Sequence, residues 1–249
     1  MTNRYTNLLE IVNKNKRIEV SRLAEILNVS QVTIRKDLVA LEEKGLLKRE
    51  HGYAVMTSSD DISSRLAFNY DIKRKIANLA GKLVNDGETV MIESGSCCAL
   101  LAEELAYNKK DVTIITNSTF IASHIRSGNA KVVLLGGDYQ PESQVVVGPL
   151  TRKSVKDFFV DKLFVGTDGY NLKTGFTGKN LMRTETVKAM AESANKVIIL
   201  TVSSKFSERG VVSQFKTEEV SCLITDTNIP KDILESLKNE NVEVKIINI

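Results

Sequence analysis

The sequence predicts an α/β protein in two parts: a small helical amino-terminal domain and a larger α/β domain with a mostly parallel sheet. Three observations carry this. Residues 1–56 show helical periodicity that ends in a short hairpin pattern. From residue 65 on, short β-branched runs alternate with helical patterns, the order of a parallel sheet with crossover helices. The charge is divided as well. Residues 1–59 hold ten Lys/Arg against seven Asp/Glu, so the whole +3 excess of the 249-residue chain lies there. A basic head on a neutral body points to a polyanionic partner.

The elements follow in order. Tyr5, Leu8, Leu9 and Val12 share one face of a first helix. Ile18-Glu19-Val20 alternates as a short extended segment. Ser21 is an N-cap candidate for a second helix carrying Leu23, Ala24, Ile26 and Leu27, which Asn28 interrupts. Ser30 is expected to cap a third helix with Val32, Ile34, Leu38 and Leu41 as its apolar residues, stopped by Gly45. Leu46–Val55 contains a turn centred on Gly52 between two extended runs. Ser58–Ser64 is polar and is expected to be a linker, giving domains 1–57 and 65–249. The expected strands beyond it are Thr89–Ile92, Val112–Thr116, Val132–Leu135, Lys162–Gly166, Val197–Val202, Cys222–Thr225 and Val242–Ile247. Helical patterns cover Ile72–Leu83, Cys98–Tyr107, Thr119–Arg126, Thr184–Ala194 and Lys231–Lys238.

Composition narrows the function classes. No apolar run reaches the roughly 18 residues of a membrane-spanning helix, and the start of the chain lacks the apolar core of a secretory signal. A cytoplasmic protein without a membrane partner is expected. Cys97, Cys98 and Cys222 form no CxxC pair, so free thiols are expected. Adjacent cysteines bridge only with strain, which argues against a redox switch. The only histidines, His51 and His124, are far apart in sequence, and neither a metal nor another cofactor is expected.

Residues 20–39 carry a more specific pattern. Ala24 is small where two helices must cross closely. Asn28 tolerates the left-handed conformation of a tight turn, and Ile34 anchors the inner face of the following helix. A helix-turn-helix needs this spacing. It leaves Ser30, Gln31, Thr33, Arg35 and Lys36 at or near the exposed amino-terminal half of the third helix. Gln suits adenine, Arg suits guanine, and Thr suits a thymine methyl or a phosphate. Lys48, Arg49 and His51 follow on the hairpin, fitting a wing on the DNA backbone or in the minor groove. Periodicity alone also fits a three-helix protein-interaction module with a charged face.

The run Arg22–Val55 resembles the winged helix-turn-helix of the DeoR family of bacterial transcription regulators, whose pattern is roughly LAxxLxVSxxTIRxDLxxLExxGxLxRxHGGA. Leu23, Ala24, Leu27, Val29, Ser30, Thr33, Ile34, Arg35, Asp37, Leu38, Leu41, Glu42, Gly45, Leu47, Arg49, His51, Gly52 and Ala54 match it. Tyr53 departs from it, standing where the family usually has a second Gly. Tyr disfavours positive φ, so the wing tip is expected to be reshaped. The resemblance extends over nearly the whole chain. It implies double-stranded operator DNA as a partner and a homo-oligomer, dimer or tetramer.

In the second domain, ligands are expected at the carboxyl ends of the strands. Glu93-Ser94-Gly95-Ser96-Cys97-Cys98 follows a strand and opens a helix, forming a ready anion cradle. Thr116-Asn117-Ser118, Gly136-Gly137-Asp138, Gly166-Thr167-Asp168-Gly169 and Ser203-Ser204-Lys205-Phe206 follow four other strands. Ser96, Thr116, Asn117 and Lys205 are expected to converge on one anion, with Asp168 facing sugar hydroxyls. Should Lys205 be an ordinary surface lysine, Lys179, Arg183 and Lys188 are the alternative cations.

These loops are similar to those of the DeoR-family sensor domain, whose fold is shared with ribose-5-phosphate isomerase and glucosamine-6-phosphate deaminase. The resemblance implies a small phosphorylated sugar, or a related metabolite, as effector. The family's DxGTT loop falls on Glu93, Gly95, Ser96 and Cys97, and its TNS on Thr116, Asn117 and Ser118. Its LGG falls on Leu135, Gly136 and Gly137, and its Glu-x-x-Lys on Glu185 and Lys188. Its ADxSKF matches at Ser204, Lys205 and Phe206. Glu93 and Val202 each replace an Asp and Cys97 replaces a Thr. Cys donates more weakly than Thr, so the cradle is expected to lean on Ser96 and backbone N–H groups. Val202 removes a sugar-hydroxyl acceptor. The implied function is a sequence-specific regulator, a repressor of a carbohydrate operon released from DNA by its effector. The alternative is a sugar-phosphate isomerase-like enzyme with an accessory DNA-binding head, recruiting Asp168, Glu93, Glu185 and Lys205 as base and enediolate stabiliser.

Overall fold

The structure, a computed structural model, describes residues 3–43, 46–55 and 60–249. The chain divides into two compact units, with the boundary in sequence between Asp71 and Ile72.

The first unit contains α1 (Asn3–Asn15), β1 (Arg17–Glu19), α2 (Val20–Leu27), α3 (Gln31–Glu43), β2 (Lys48–Glu50), β3 (Tyr53–Val55) and α4 (Ile62–Ala67). Strand β3 lies between β1 and β2 in an antiparallel sheet. Leu8, Leu9, Val12, Leu23, Ile34, Leu38 and Leu41 are fully buried among the helices. Burying a side chain of this kind contributes roughly 1.5–3 kcal/mol.

Four local expectations change. Ser21 is not an N-cap: α2 starts at Val20, and the Ser21 hydroxyl donates to the Glu19 carboxylate at 3.0 Å. Val32 is 59% exposed, because two residues from Ile34 is about 200° around a helix. The polar stretch expected to be a linker turns helical at Ile62. Its serines hide an apolar pair, Ile62 and Leu66, both buried one turn apart, and the Asp61 carboxylate accepts the Ser64 N–H at 3.4 Å. Finally, Tyr53 does not carry the positive φ of the wing turn. Tyr53 sits in strand β3 opposite Glu50, while His51 (φ 20°) and Gly52 (φ 85°) make the turn. Its ring lies under the Arg17 guanidinium at 3.9 Å, and its hydroxyl donates to Glu19 at 2.9 Å. Gly45, Ser58 and Ser59 lie outside the described residues.

The second unit starts within α5 (Tyr70–Gly81). Then come β4 (Thr89–Ile92), α6 (Ser96–Asn108), β5 (Thr113–Thr116), α7 (Thr119–His124), β6 (Lys131–Leu134), β7 (Asp138–Gln140), β8 (Val145–Val147), α8 (Pro149–Val155) and β9 (Val160–Val165). The chain continues through β10 (Gly169–Asn171), β11 (Gly175–Gly178), α9 (Leu181–Glu192), β12 (Ala194–Leu200), β13 (Val212–Phe215), β14 (Cys222–Asp226), α10 (Lys231–Asn239) and β15 (Glu243–Ile247).

The main sheet is parallel throughout, in the order β15-β14-β12-β9-β4-β5-β6. These are the seven strands expected from the sequence, with ends displaced by a few residues. The chain builds outward from β4 through β5 and β6, then returns to the other side of β4 with β9. The order therefore switches between β4 and β9, the point where open α/β sheets leave a crevice. Two small antiparallel sheets, β7–β8 and β10-β11-β13, are additions that the sequence pattern did not reveal. Their strands are only three or four residues long.

Candidate DNA-reading helix and effector crevice

Helices α2 and α3 form the expected turn. Asn28 is left-handed (φ 51°, ψ 49°), and the Val29 N–H bonds back to the Ala24 carbonyl at 3.0 Å. Ser30 caps α3, its hydroxyl oxygen accepting from the Thr33 N–H at 3.1 Å. Asp37, buried on the inner face of α3, holds Arg4 of α1 bidentately at 2.5 and 3.0 Å. That hydrogen bond raises the pKa of the Arg4 guanidinium. The back of α3 is thus anchored by both apolar packing and an ion pair.

Its front is open. Ser30, Gln31, Arg35 and Lys36 are exposed, and Thr33 is half-buried. Arg35 Nη2 donates to Gln31 Oε1 at 3.2 Å, which aligns the two side chains one turn apart. Exposed Val32 lies among them, an apolar residue on the reading face. Lys48 and His51 are exposed on the wing. Arg49 differs: its Nε and backbone N–H both donate to the Glu42 carboxylate, at 2.6 and 2.9 Å. It braces the hairpin against α3 and is not a free cation.

The effector loops all lie at the carboxyl edge of the main sheet. They follow β6, β5, β4, β9 and β12, five neighbouring strands spanning four spacings, or roughly 19 Å. One small ligand cannot touch them all. The centre is the β4–α6 loop. Glu93 does not offer a free carboxylate there. It accepts from the Ser94 hydroxyl at 2.7 Å, the Gly95 N–H at 2.8 Å and the Gly166 N–H at 3.1 Å, so it ties the end of β4 to the end of β9. A Cβ on Gly95 would lie 3.2 Å from the Gly166 Cα, which explains the glycine. Ser96 is half-buried in the first turn of α6, where unpaired N–H groups favour an anion.

Cys97 is buried, and burial pushes its thiol up to about 11. Lys73 and Lys205 act in the opposite sense and Asp226 adds to the rise, so all three lie within electrostatic reach of this loop. The thiol stays protonated at neutral pH, against a redox-sensing role. All three cysteines are free and buried.

On the β5 side, Thr116, Asn117 and Ser118 are fully buried. Ser118 caps α7 through the Ile121 N–H at 3.1 Å, and Thr116 Oγ1 accepts from the Ser118 N–H. These two hydroxyls serve the loop itself. Asn117 Nδ2 donates to the Val146 carbonyl at 3.1 Å, while its Oδ1 has no protein partner. Gly136 is exposed and its carbonyl accepts from Thr151, and Gly137 has φ 154°. Both sit at the end of β6, two strands from the centre.

On the β9 side, Asp168 accepts the Lys179 N–H at 2.9 Å. Lys205 is not an unpaired ammonium: it meets Glu208 at 3.0 Å, and Lys179 meets the other oxygen of Glu208 at 2.8 Å. Burial works against the charged Glu208, yet these two hydrogen bonds hold its carboxyl below the usual range. Ser96, Thr116, Asn117 and Lys205 therefore share one edge; Thr116 and Lys205 already each have a protein partner there, whereas Asn117 Oδ1 has none. On α9, Glu185 pairs with Arg152 at 2.8 Å and Lys188 is exposed. A groove of about 360 Å³ lies elsewhere, between Leu172, Lys173, Lys216 and Glu218, and none of the expected effector residues lines it.

The sequence reading missed Asp226 and buried Lys73. Asp226 Oδ2 accepts the Ser203 N–H at 2.7 Å, so this edge keeps a carboxylate beside Val202, supplied from β14. The signal was present: Asp226 is an acid that directly follows the expected strand Cys222–Thr225. Among the described residues no three of His, Cys, Asp or Glu come together as metal ligands, and no helix is long and apolar enough to cross a membrane.

Residues 4–60 match the DeoR-like helix-turn-helix domain, and residues 68–227 match the DeoR C terminal sensor domain. The chain belongs to the DeoR family. The HTH-type transcriptional regulator GolR of Listeria innocua is 30% identical over 98% of this chain and 97% of that protein. The transcriptional repressor AccR of Agrobacterium fabrum is 27% identical over 94% and 92%. Ribose 5-phosphate isomerase A of Methanocaldococcus jannaschii gives a TM-score of 0.41 at 23% identity, over 55% of each chain. This DeoR-family chain is a DNA-binding transcriptional regulator. Its relatives are named as regulators, so the enzyme alternative is not favoured.

Proposed function

We propose that this regulator represses a carbohydrate operon and leaves its operator when a phosphorylated sugar or related metabolite binds the second unit. The observation that supports the effector reading best is Gly95-Ser96 at the amino end of a 13-residue helix, at the switch point of a parallel sheet. Repression follows the name of AccR. Operator binding belongs to the part ahead of Ser58, and effector binding to residues 65–249. The protein acts in the cytoplasm as a homo-oligomer that spans paired half-sites.

In this reading Ser30, Gln31, Thr33, Arg35 and Lys36 enter the major groove, and Val32 meets a thymine methyl. Lys48 and His51 touch the backbone, and Arg49 positions the wing. Ser96 and the first-turn N–H groups of α6 hold the phosphate. Cys97 and Gly95 wall the site, and Asn117 faces hydroxyls with Asp168. Lys205 supplies positive field from its pair with Glu208. Glu93, Thr116 and Ser118 hold the loops in place, and Gly136 and Gly137 lie at the rim.

The test is binding of the full chain to its own upstream DNA, with and without a panel of sugar phosphates. Specific binding that one or more of them weakens supports the proposal. Specific binding that all of them leave unchanged refutes effector release.

A further inference from the structure

Two buried amide oxygens near the switch point find no partner in the protein, Asn117 Oδ1 and Gln214 Oε1. Gln214 lies in β13, outside every motif that marked the effector loops, and is 5% exposed. Its Nε2 donates to the Gly166 carbonyl at 3.0 Å. That bond fixes the amide, because the reverse orientation would set oxygen against oxygen. Gly166 is the residue after β9, and Glu93 holds its N–H at 3.1 Å. Asn117 follows β5 and is oriented in the same way by the Val146 carbonyl. Strand β4 runs between β5 and β9, whose ends lie roughly 10 Å apart; Asn117 stands at the end of β5, and Gln214, reaching in from the separate β13 sheet, is bonded to the end of β9.

A buried acceptor without a donor is costly, and a native one calls for a reason. The amino end of α6 favours an anion, while amide oxygens on both sides favour hydroxyl donors. A phosphorylated sugar or polyol offers both. Inorganic phosphate offers the anion alone.

We propose that Gln214 is a specificity-determining residue of the effector site, its Oε1 accepting a hydroxyl of a phosphorylated sugar whose phosphate lies at Ser96 and the α6 amino end. This rests on the effector-site reading above.

The test is calorimetric titration of the full-length protein with ribose 5-phosphate, fructose 6-phosphate, glucosamine 6-phosphate and inorganic phosphate. Wild type is compared with Gln214→Met, which keeps length and removes both polar atoms. The tightest sugar phosphate should lose about tenfold in affinity, while inorganic phosphate stays within about twofold. Equal losses for both point to a purely structural role and overturn the proposal, as does an unchanged ratio. If no sugar phosphate binds wild type, the effector-site reading falls and this proposal with it. If they bind wild type and variant alike, this proposal falls alone. Should Gln214→Met not fold, the side-chain amide resonance of Gln214 in labelled wild type decides. It should move with the sugar phosphate and not with inorganic phosphate, and a resonance that moves with neither sinks the idea.

Discussion

The front of α3 and the end of β4 are both lined with polar side chains, and they use them in opposite ways. Gln31, Arg35 and Lys36 face solvent from a helix whose back is fixed by Ile34, Leu38 and the Asp37–Arg4 pair. Their hydrogen-bonding capacity is largely available to a partner. At the crevice, Glu93, Ser118 and Asp226 are buried and accept backbone N–H groups of their own or neighbouring loops. There the polar residues shape the backbone, and in the proposed reading recognition falls to helix N–H groups, a few unsatisfied atoms and the Lys205 ammonium. A motif in a loop marks where a site is, and the hydrogen bonds decide which of its residues are free to bind.

The largest effect that tests this contrast is Glu93→Ala. It strips two backbone N–H groups of their acceptor at the join of β4 and β9, and should cost roughly 2–5 kcal/mol in urea unfolding. A cost below about 1 kcal/mol would show that Glu93 is free for ligand after all.

Glu103 on α6 is next. Burial acts against its charge, but hydrogen bonds from His124 at 3.1 Å and Arg74 at 2.8 Å lower it to about 2, against an ordinary 4.5. The unfolded chain binds this proton more tightly, so the stabilisation is complete above pH 4.5 and is lost as pH falls through 2. The linkage is about 3 kcal/mol. Glu103→Gln should flatten the acid limb of the stability curve, and an unaltered limb would remove this carboxylate from the account.

Arg35→Ala should leave stability within about 0.5 kcal/mol, since the side chain is exposed. It should cost about 1–3 kcal/mol of specific DNA binding. Gel-shift titration on operator and unrelated DNA separates the two, and a loss equal on both would make Arg35 a phosphate contact only. A stability change of similar size, about 0.5 kcal/mol, is expected for Lys205→Ala, because its pair with Glu208 is partly exposed. The effector response should nevertheless fall, with operator affinity intact. A full response would move the cation to Lys179, Arg183 or Lys188.

The seven strands of the main sheet were legible because β-branched runs buried on both faces need no partner to identify them. The turn at Asn28, the anchor Ile34 and the exposed reading residues were legible because a helix face is local. Tertiary partners were not. Nothing in the sequence shows that Glu42 engages Arg49, that Glu208 holds both Lys179 and Lys205, or that Gln214 reaches Gly166 across 48 positions. The serines around Ile62 read as linker because polarity was weighed over one apolar pair at helical spacing. Tyr53 was expected to reshape the wing tip because the family pattern puts Gly there, whereas the turn takes its positive φ from His51 and Gly52.

The central claim is that the effector crevice and the reading helix are coupled. Anisotropy titration of the full chain on its own upstream DNA, with and without the tightest sugar phosphate of the panel, measures it directly. The account predicts weaker DNA binding with the sugar phosphate present, and the same factor when the order is reversed and operator weakens sugar phosphate. Equal DNA affinities in both titrations, with the sugar phosphate bound, would contradict it.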